Sequence, residues 1–127
     1  MPRTIGKPAP VALTAAQEAW EDDLQYCESR EDPTQVNWHD RDGTASYYAF
    51  QFKPGTFRSF GVAYKVIPAG LTHQELMEAL KRTDLQRAIV AHMIHDPSIQ
   101  WSQQFPDCTK DTIGAHAGMP PGAASGV

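Results

Sequence analysis

The chain has 127 residues, a formal net charge of −4, and a composition that is 41% hydrophobic and 20% charged. That length suits one domain with a modest core, and those fractions are ordinary for a globular protein. Scattered Lys and Arg on an acidic balance leave no footprint for nucleic acid, and no apolar run approaches the roughly 18 residues that a bilayer span requires.

Met1 to Pro10 is polar and proline-rich, without the apolar stretch a signal peptide uses. The chain is therefore expected to be a mature form with a start methionine, or a protein delivered without such a signal, and residues 1–12 are expected to be an extended arm. Thr14 and Gln17 form a capping-box pattern. Leu13, Ala16, Ala19, Trp20, Leu24 and Cys27 then recur at helical spacing, which predicts a helix over 14–29. Asp32-Pro33 is expected to end it, because the residue before a proline disfavours helical backbone. Glu18, Glu21, Asp22 and Asp23 are expected on its solvated face, the first of them suiting the helix dipole.

The stretch from Asn37 to Thr44 contains Asp42-Gly43, a turn signal that predicts a short hairpin. Pro54 suits the first turn of a short helix carrying Phe57 and Phe60, with Gly61 just past its end, and a loop follows around Pro68-Ala69-Gly70. Thr72 and Glu75 form a second capping box, opening a helix with Leu76, Met77 and Leu80. Asp84 reads as the cap of a further helix carrying Leu85, Ala88, Ile89, His92 and Met93, stopped before Pro97. The last ordered piece is expected over 99–113. Residues 114–127 are rich in Gly, Ala and Pro and read as a flexible tail. The fold class expected is α+β and predominantly helical: one domain over 13–113 with a small β-hairpin or turn insertion after the first helix.

Cys27 and Cys108 are the two cysteines. Structural zinc usually takes about four ligands, and the spacing excludes a CxxC redox motif. They are either separate buried thiols or one long-range disulfide, which would imply an oxidising compartment. His92 and His95 share a spacing that puts both on one helix face. No carboxylate or third ligand accompanies them, so neither a metal nor a cofactor is expected.

Two stretches carry chemistry: Cys27-Glu28-Ser29 at a helix end, and Tyr47-Tyr48-Ala49-Phe50-Gln51-Phe52. Cleaving a glycosidic bond needs a carboxylic acid kept protonated near neutral pH, to donate to the leaving oxygen. Glu28 would serve if Trp20, Tyr47 and Phe50 approach it, since apolar surroundings disfavour the ionised form. Gln51 offers an amide donor and an acceptor to an N-acetyl group, and Tyr47, Tyr48 and Trp38 offer faces to sugar rings. Phe50, Phe52 and Phe57 read as core. The bland alternative for Glu28 is a solvated carboxylate at a helix end.

In order, Trp20, Cys27-Glu28-Ser29, Asn37-Trp38, Tyr47-Tyr48, Gln51-Phe52, Thr56-Phe57 and Phe105-Pro106-Asp107-Cys108 resemble the catalytic half of the lysozyme-like superfamily. Resuscitation-promoting factor domains are the nearest likeness, with soluble lytic transglycosylases and goose-type lysozymes beside them, and the resemblance spans Trp20 to Cys108. It implies a lysozyme-like fold and a Cys27–Cys108 disulfide. It also implies a peptidoglycan-cleaving muramidase acting on the MurNAc–GlcNAc β-1,4 linkage, with Glu28 as general acid and Ser29, Asn37, Tyr47, Tyr48 and Gln51 binding the substrate.

The chain departs from that pattern at Ala49-Phe50, where the family carries glycine, at Phe57, where it more often has tryptophan, and in an apparent insertion over 63–82. Asp40 and Asp42 are the candidates for a second carboxylate, and equally for turn residues bonding their own backbone. Lytic transglycosylases dispense with such a base, because the substrate's own muramyl hydroxyl attacks; hydrolysis and transglycosylation both stay open. The resemblance further implies peptidoglycan glycan strands as partner; a monomer is expected in an extracellular, periplasmic or cell-wall location, and the lack of a signal-peptide stretch also fits a phage-virion protein. A non-catalytic glycan-binding or structural module on the same fold is the alternative.

Overall fold

The computed structural model describes residues 3–30, 32, 34–38, 45–106, 108–109 and 119–121. Among them the elements are α1 (Ala15–Ser29), β1 (Val36–Asn37), β2 (Ser46–Tyr47), α2 (Pro54–Ala63), α3 (His73–Leu80), α4 (Thr83–Ile94) and α5 (Trp101–Gln104). The architecture is mostly helical with one small antiparallel sheet, in which Val36 pairs with Tyr47 and Asn37 with Ser46. The predicted Asp42-Gly43 turn lies outside the described residues.

Both capping boxes form. Thr14 accepts the Gln17 N–H while the Gln17 side chain accepts the Thr14 N–H, and Thr72 and Glu75 do the same for α3. Each satisfies backbone donors that a helix start otherwise leaves open. α1 ends at Ser29, as the spacing predicts, and the stop is made by Arg30, which turns left-handed at φ 56° with its N–H on the Tyr26 carbonyl. Asp32 instead accepts bonds from the N–H and hydroxyl of Thr34.

Two boundaries differ from expectation. α2 runs on to Ala63, so Gly61 lies inside it rather than past its end. A Cβ there would come within 2.8 Å of Ile67 Cγ1, so the residue is small to admit a neighbouring side chain, not to turn the backbone. α4 has Arg82, not Asp84, at its N-cap. Asp84 holds the Arg82 guanidinium through both carboxylate oxygens, at 3.0 and 2.7 Å.

Leu24 of α1, Phe50 of the hairpin turn, Phe57 of α2, Leu80 of α3, and Leu85, Ile89, Val90 and Met93 of α4 are all fully buried. Each such side chain contributes about 1.5–3 kcal/mol of burial free energy. Trp20 packs edge-on against Trp101 at 4.9 Å, joining α5 to α1, and Phe52 and Phe57 are core as expected.

The arm from Arg3 to Leu13 is extended but tied down. The Arg3 backbone N–H donates to the Glu75 carboxylate, its guanidinium to the Ala69 carbonyl, Arg82 to the carbonyls of Ile5 and Gly6, and His95 Nε2 to the carbonyl of Ala12. Of the C-terminal tail only Met119 to Pro121 are described: Pro120 is buried, and the Pro121 carbonyl accepts a bond from Gln17.

Candidate functional site

The last turn of α1 is anchored on both sides of Glu28. Cys27 is bonded to Cys108, with their Cα atoms 5.8 Å apart across 81 positions of sequence. Ser29 is fully buried, and its hydroxyl donates to the Gln25 carbonyl one turn back. Its oxygen therefore serves the helix end from inside the protein. Glu28 itself is half-buried.

The hairpin gathers five of the residues singled out from the sequence. Asn37 lies on β1, Trp38 just beyond it, and Tyr47 on β2; Tyr48 and Gln51 lie in the turn that follows, which a Tyr47–Phe52 bridge closes. Trp38 is 63% exposed and meets Tyr47 edge-on at 6.1 Å, and Tyr47 meets Tyr48 at 5.4 Å. This is a short aromatic ladder with its outermost ring in solvent. Asp40 and Asp42 lie outside the described residues.

The turn is built without glycine. Tyr48 and Gln51 both take left-handed backbone, at φ 65° and 55°, which costs roughly 1–2 kcal/mol for each residue carrying a Cβ. Hydrogen bonds hold it there. The Tyr48 N–H donates to the Gln35 carbonyl at 2.7 Å. Gln51 Nε2 donates to the carbonyls of Gln35 and Tyr48 at 3.1 and 2.9 Å, so both amide hydrogens of Gln51 are committed and its side-chain oxygen is left to accept.

From below, Gln86 of α4 clamps the same turn. Its Oε1 accepts the Phe50 N–H at 2.7 Å, and its Nε2 donates to Leu80 and Tyr47 carbonyls at 2.8 and 3.3 Å. Neither Gln35 nor Gln86 stood out in the sequence. The signal for Gln86 was its register: with Ile89, Val90 and Met93 it completes the buried stripe of α4, as a polar residue in an apolar position.

One member of the acidic run departs from the expected solvated face. Glu21 is only 3% exposed. Burial, offset by Arg87 and reinforced by Asp22 and Glu18, pushes its carboxyl up to about 7. Arg87 Nη2 sits 2.9 Å from Glu21 Oε1 and 2.8 Å from Asp22 Oδ1. So enclosed a carboxyl has no access to a polymeric substrate.

An open groove of about 580 Å³ runs over the start of α2, lined by Lys53, Thr56, Ser59, Phe60 and Gln104 among others. It begins where the hairpin ends, and Lys53 Nζ donates to Ser46 of β2 at 3.4 Å. His92 of α4 and His95 just past its end take separate partners: the His92 ring stacks on Tyr64 at 5.1 Å, and His95 holds the arm. Among the described residues no group of His, Cys, Asp and Glu is arranged to hold a metal ion, and no helix is long and apolar enough to cross a membrane.

Comparison with protein-family models, with curated proteins and with solved structures finds no match.

Proposed function

We propose that the protein is a peptidoglycan-cleaving muramidase of lysozyme-like fold, acting on the MurNAc–GlcNAc β-1,4 linkage with Glu28 as general acid. The observation that carries the reading is the disulfide from Cys27 to Cys108, which pins the turn bearing Glu28 and is the pairing that the resemblance implies. Glu28 donates its proton to the glycosidic oxygen as the C–O bond breaks, and positive charge develops on the sugar ring. Either water or the muramyl hydroxyl then captures the ring carbon, giving a reducing-end or an anhydro product.

The hairpin supplies the grip on the glycan. Trp38 and Tyr47 offer faces for sugar rings, with Tyr48 and Asn37 beside them. Gln51, its amide hydrogens spent on Gln35 and Tyr48, recognises the acetamido N–H through its remaining oxygen. Ser29, turned inward, acts by holding the helix end rather than by touching sugar. Asp40 and Asp42 stay the candidates for a base if the reaction is hydrolytic. The disulfide accords with an extracellular, periplasmic or cell-wall setting.

The test is digestion of purified peptidoglycan by wild type and Glu28→Gln, read by turbidity and by muropeptide mass. A second reading, a non-catalytic glycan-binding module, is favoured by the exposed Trp38 platform, which needs no acid to bind. Saccharide binding by both proteins with no cleavage by wild type would leave that reading standing and remove the first.

A further inference from the structure

The contact between α1 and α4 holds a titratable group that the proposed reaction does not use. Arg87 of α4 reaches three acceptors on α1: its Nη2 lies 2.9 Å from Glu21 and 2.8 Å from Asp22, and its Nη1 donates to Gln25 Oε1 at 2.8 Å. Asp22 is 63% exposed at its side chain and Glu21 only 4%. Glu21 thus meets the guanidinium with one oxygen, while its Oε2 is buried with no hydrogen-bond partner among the described residues.

An ionised carboxylate with a bare oxygen in a dry interface is far costlier than the neutral acid in the same place. Of the charged groups around Glu21, the two carboxylates reinforce this and the one cation, Arg87, offsets it in part. Glu18 and Asp22, both acidic, act on it from its own helix and Arg87 from α4, while α5, packed on α1 through Trp101, brings no charged residue.

We propose that Glu21 and Arg87 form a proton-operated joint between α1 and α4, closed while Glu21 carries its proton and loosened when that proton passes to solvent. With Glu21 neutral, Arg87 still holds Asp22 and Gln25, and the interface stays dry. When Glu21 ionises, Oε2 draws water inward or swings outward, and the grip of α4 on α1 weakens. The carboxyl, held up to about 7, makes the change near neutrality. The joint lies on the helix that ends in Cys27-Glu28-Ser29, yet its existence does not depend on what that end does.

The test uses the full, disulfide-intact chain, isotopically labelled, in an NMR titration of the Glu21 side-chain carboxyl together with amide exchange across α1, corrected for intrinsic rates. The expected result is a carboxyl midpoint near neutrality and a loss of α1 protection of at least about tenfold through that midpoint, absent in Glu21→Gln. Asp22→Asn, at an exposed position, removes a repelling neighbour and a competitor for Arg87, so it should move the midpoint down. Titration of Glu21 in the ordinary carboxylate range, flat protection through the midpoint, persistence of the loss in Glu21→Gln, or an unmoved midpoint in Asp22→Asn would each overturn the joint.

Discussion

Gln86 and Phe50 are joined by a hydrogen bond from the Phe50 backbone N–H to the Gln86 side-chain oxygen, 2.7 Å long and spanning 36 positions of sequence. The same amide reaches Leu80 at 2.8 Å, so a single fully buried side chain ties the hairpin turn to the start of α4 and the end of α3. Gln86→Leu would leave the Phe50 N–H and the Leu80 carbonyl facing an apolar group. The expected cost is about 2–4 kcal/mol, read by urea unfolding, with Trp38 and Tyr47 resonances shifted; a loss below about 1 kcal/mol would show that the turn holds itself.

The disulfide closes 81 positions of sequence. In the chain-entropy account, opening so long a loop costs about 4–5 kcal/mol. Mass mapping without reductant should find Cys27 joined to Cys108, and reduction or Cys27→Ala/Cys108→Ala should lower the urea midpoint accordingly. An unchanged midpoint would mean that packing around Trp20 and Trp101 suffices.

On the proposed reading, Glu28→Gln should reduce peptidoglycan cleavage by about 10²-fold or more, the scale of a lost general acid, while saccharide binding persists. The product masses of the wild-type digest report which nucleophile acts, because anhydro-muramyl and reducing-end products differ by one water.

Trp38→Ala should act on binding alone. The ring is 63% exposed, so its removal should leave the unfolding midpoint within about 0.5 kcal/mol of wild type. Losing one aromatic platform, worth about 0.5–1.5 kcal/mol, should weaken glycan binding by up to about tenfold. Pull-down on insoluble peptidoglycan or titration with soluble chitooligosaccharide would measure it.

Stability should fall as pH rises toward neutrality. Glu21 goes from 4.5, its unperturbed value, to about 7 on folding. Its contribution is fully present below about 4.5 and lost as pH rises through about 7, a change of roughly 3 kcal/mol. Asp96 works in the opposite sense: bonds from Ser98 and Tyr64 hold its carboxyl down, so its contribution is present above its ordinary range and lost on acidification. Denaturation series between pH 4 and pH 8, about the window that these shifts define, should show the decline in wild type and little of it in Glu21→Gln.

What could be read from the sequence was local. Thr14 with Gln17 and Thr72 with Glu75 act within one helical turn, so their spacing is sufficient to place them. Gly61 reads in the sequence as a helix end because a glycine there usually marks backbone freedom, whereas in the fold Ile67 demands the space. Asp84 follows the N-cap rather than occupying it, since Arg82 takes its carboxylate. Glu21 carries no local mark of burial: its surroundings are acidic and helical, and only the approach of α4 with Arg87 encloses it. In the candidate site, the residue types of the hairpin were visible. The clamp from Gln86 and the bridging by Gln35 were not, because they join segments far apart in the chain.

The seating of the arm also sets an order of events. Arg3 and Ala12 are bonded to Ala69 and His95, across 66 and 83 positions of sequence. The seat of the arm is therefore complete only once the loop before α3 and the end of α4 are in place. Contacts of such long range come late in a folding reaction because their loop-closure entropy must be met first. Docking of the arm is thus expected among the later steps of folding, together with the Gln17–Pro121 contact, which closes 104 positions.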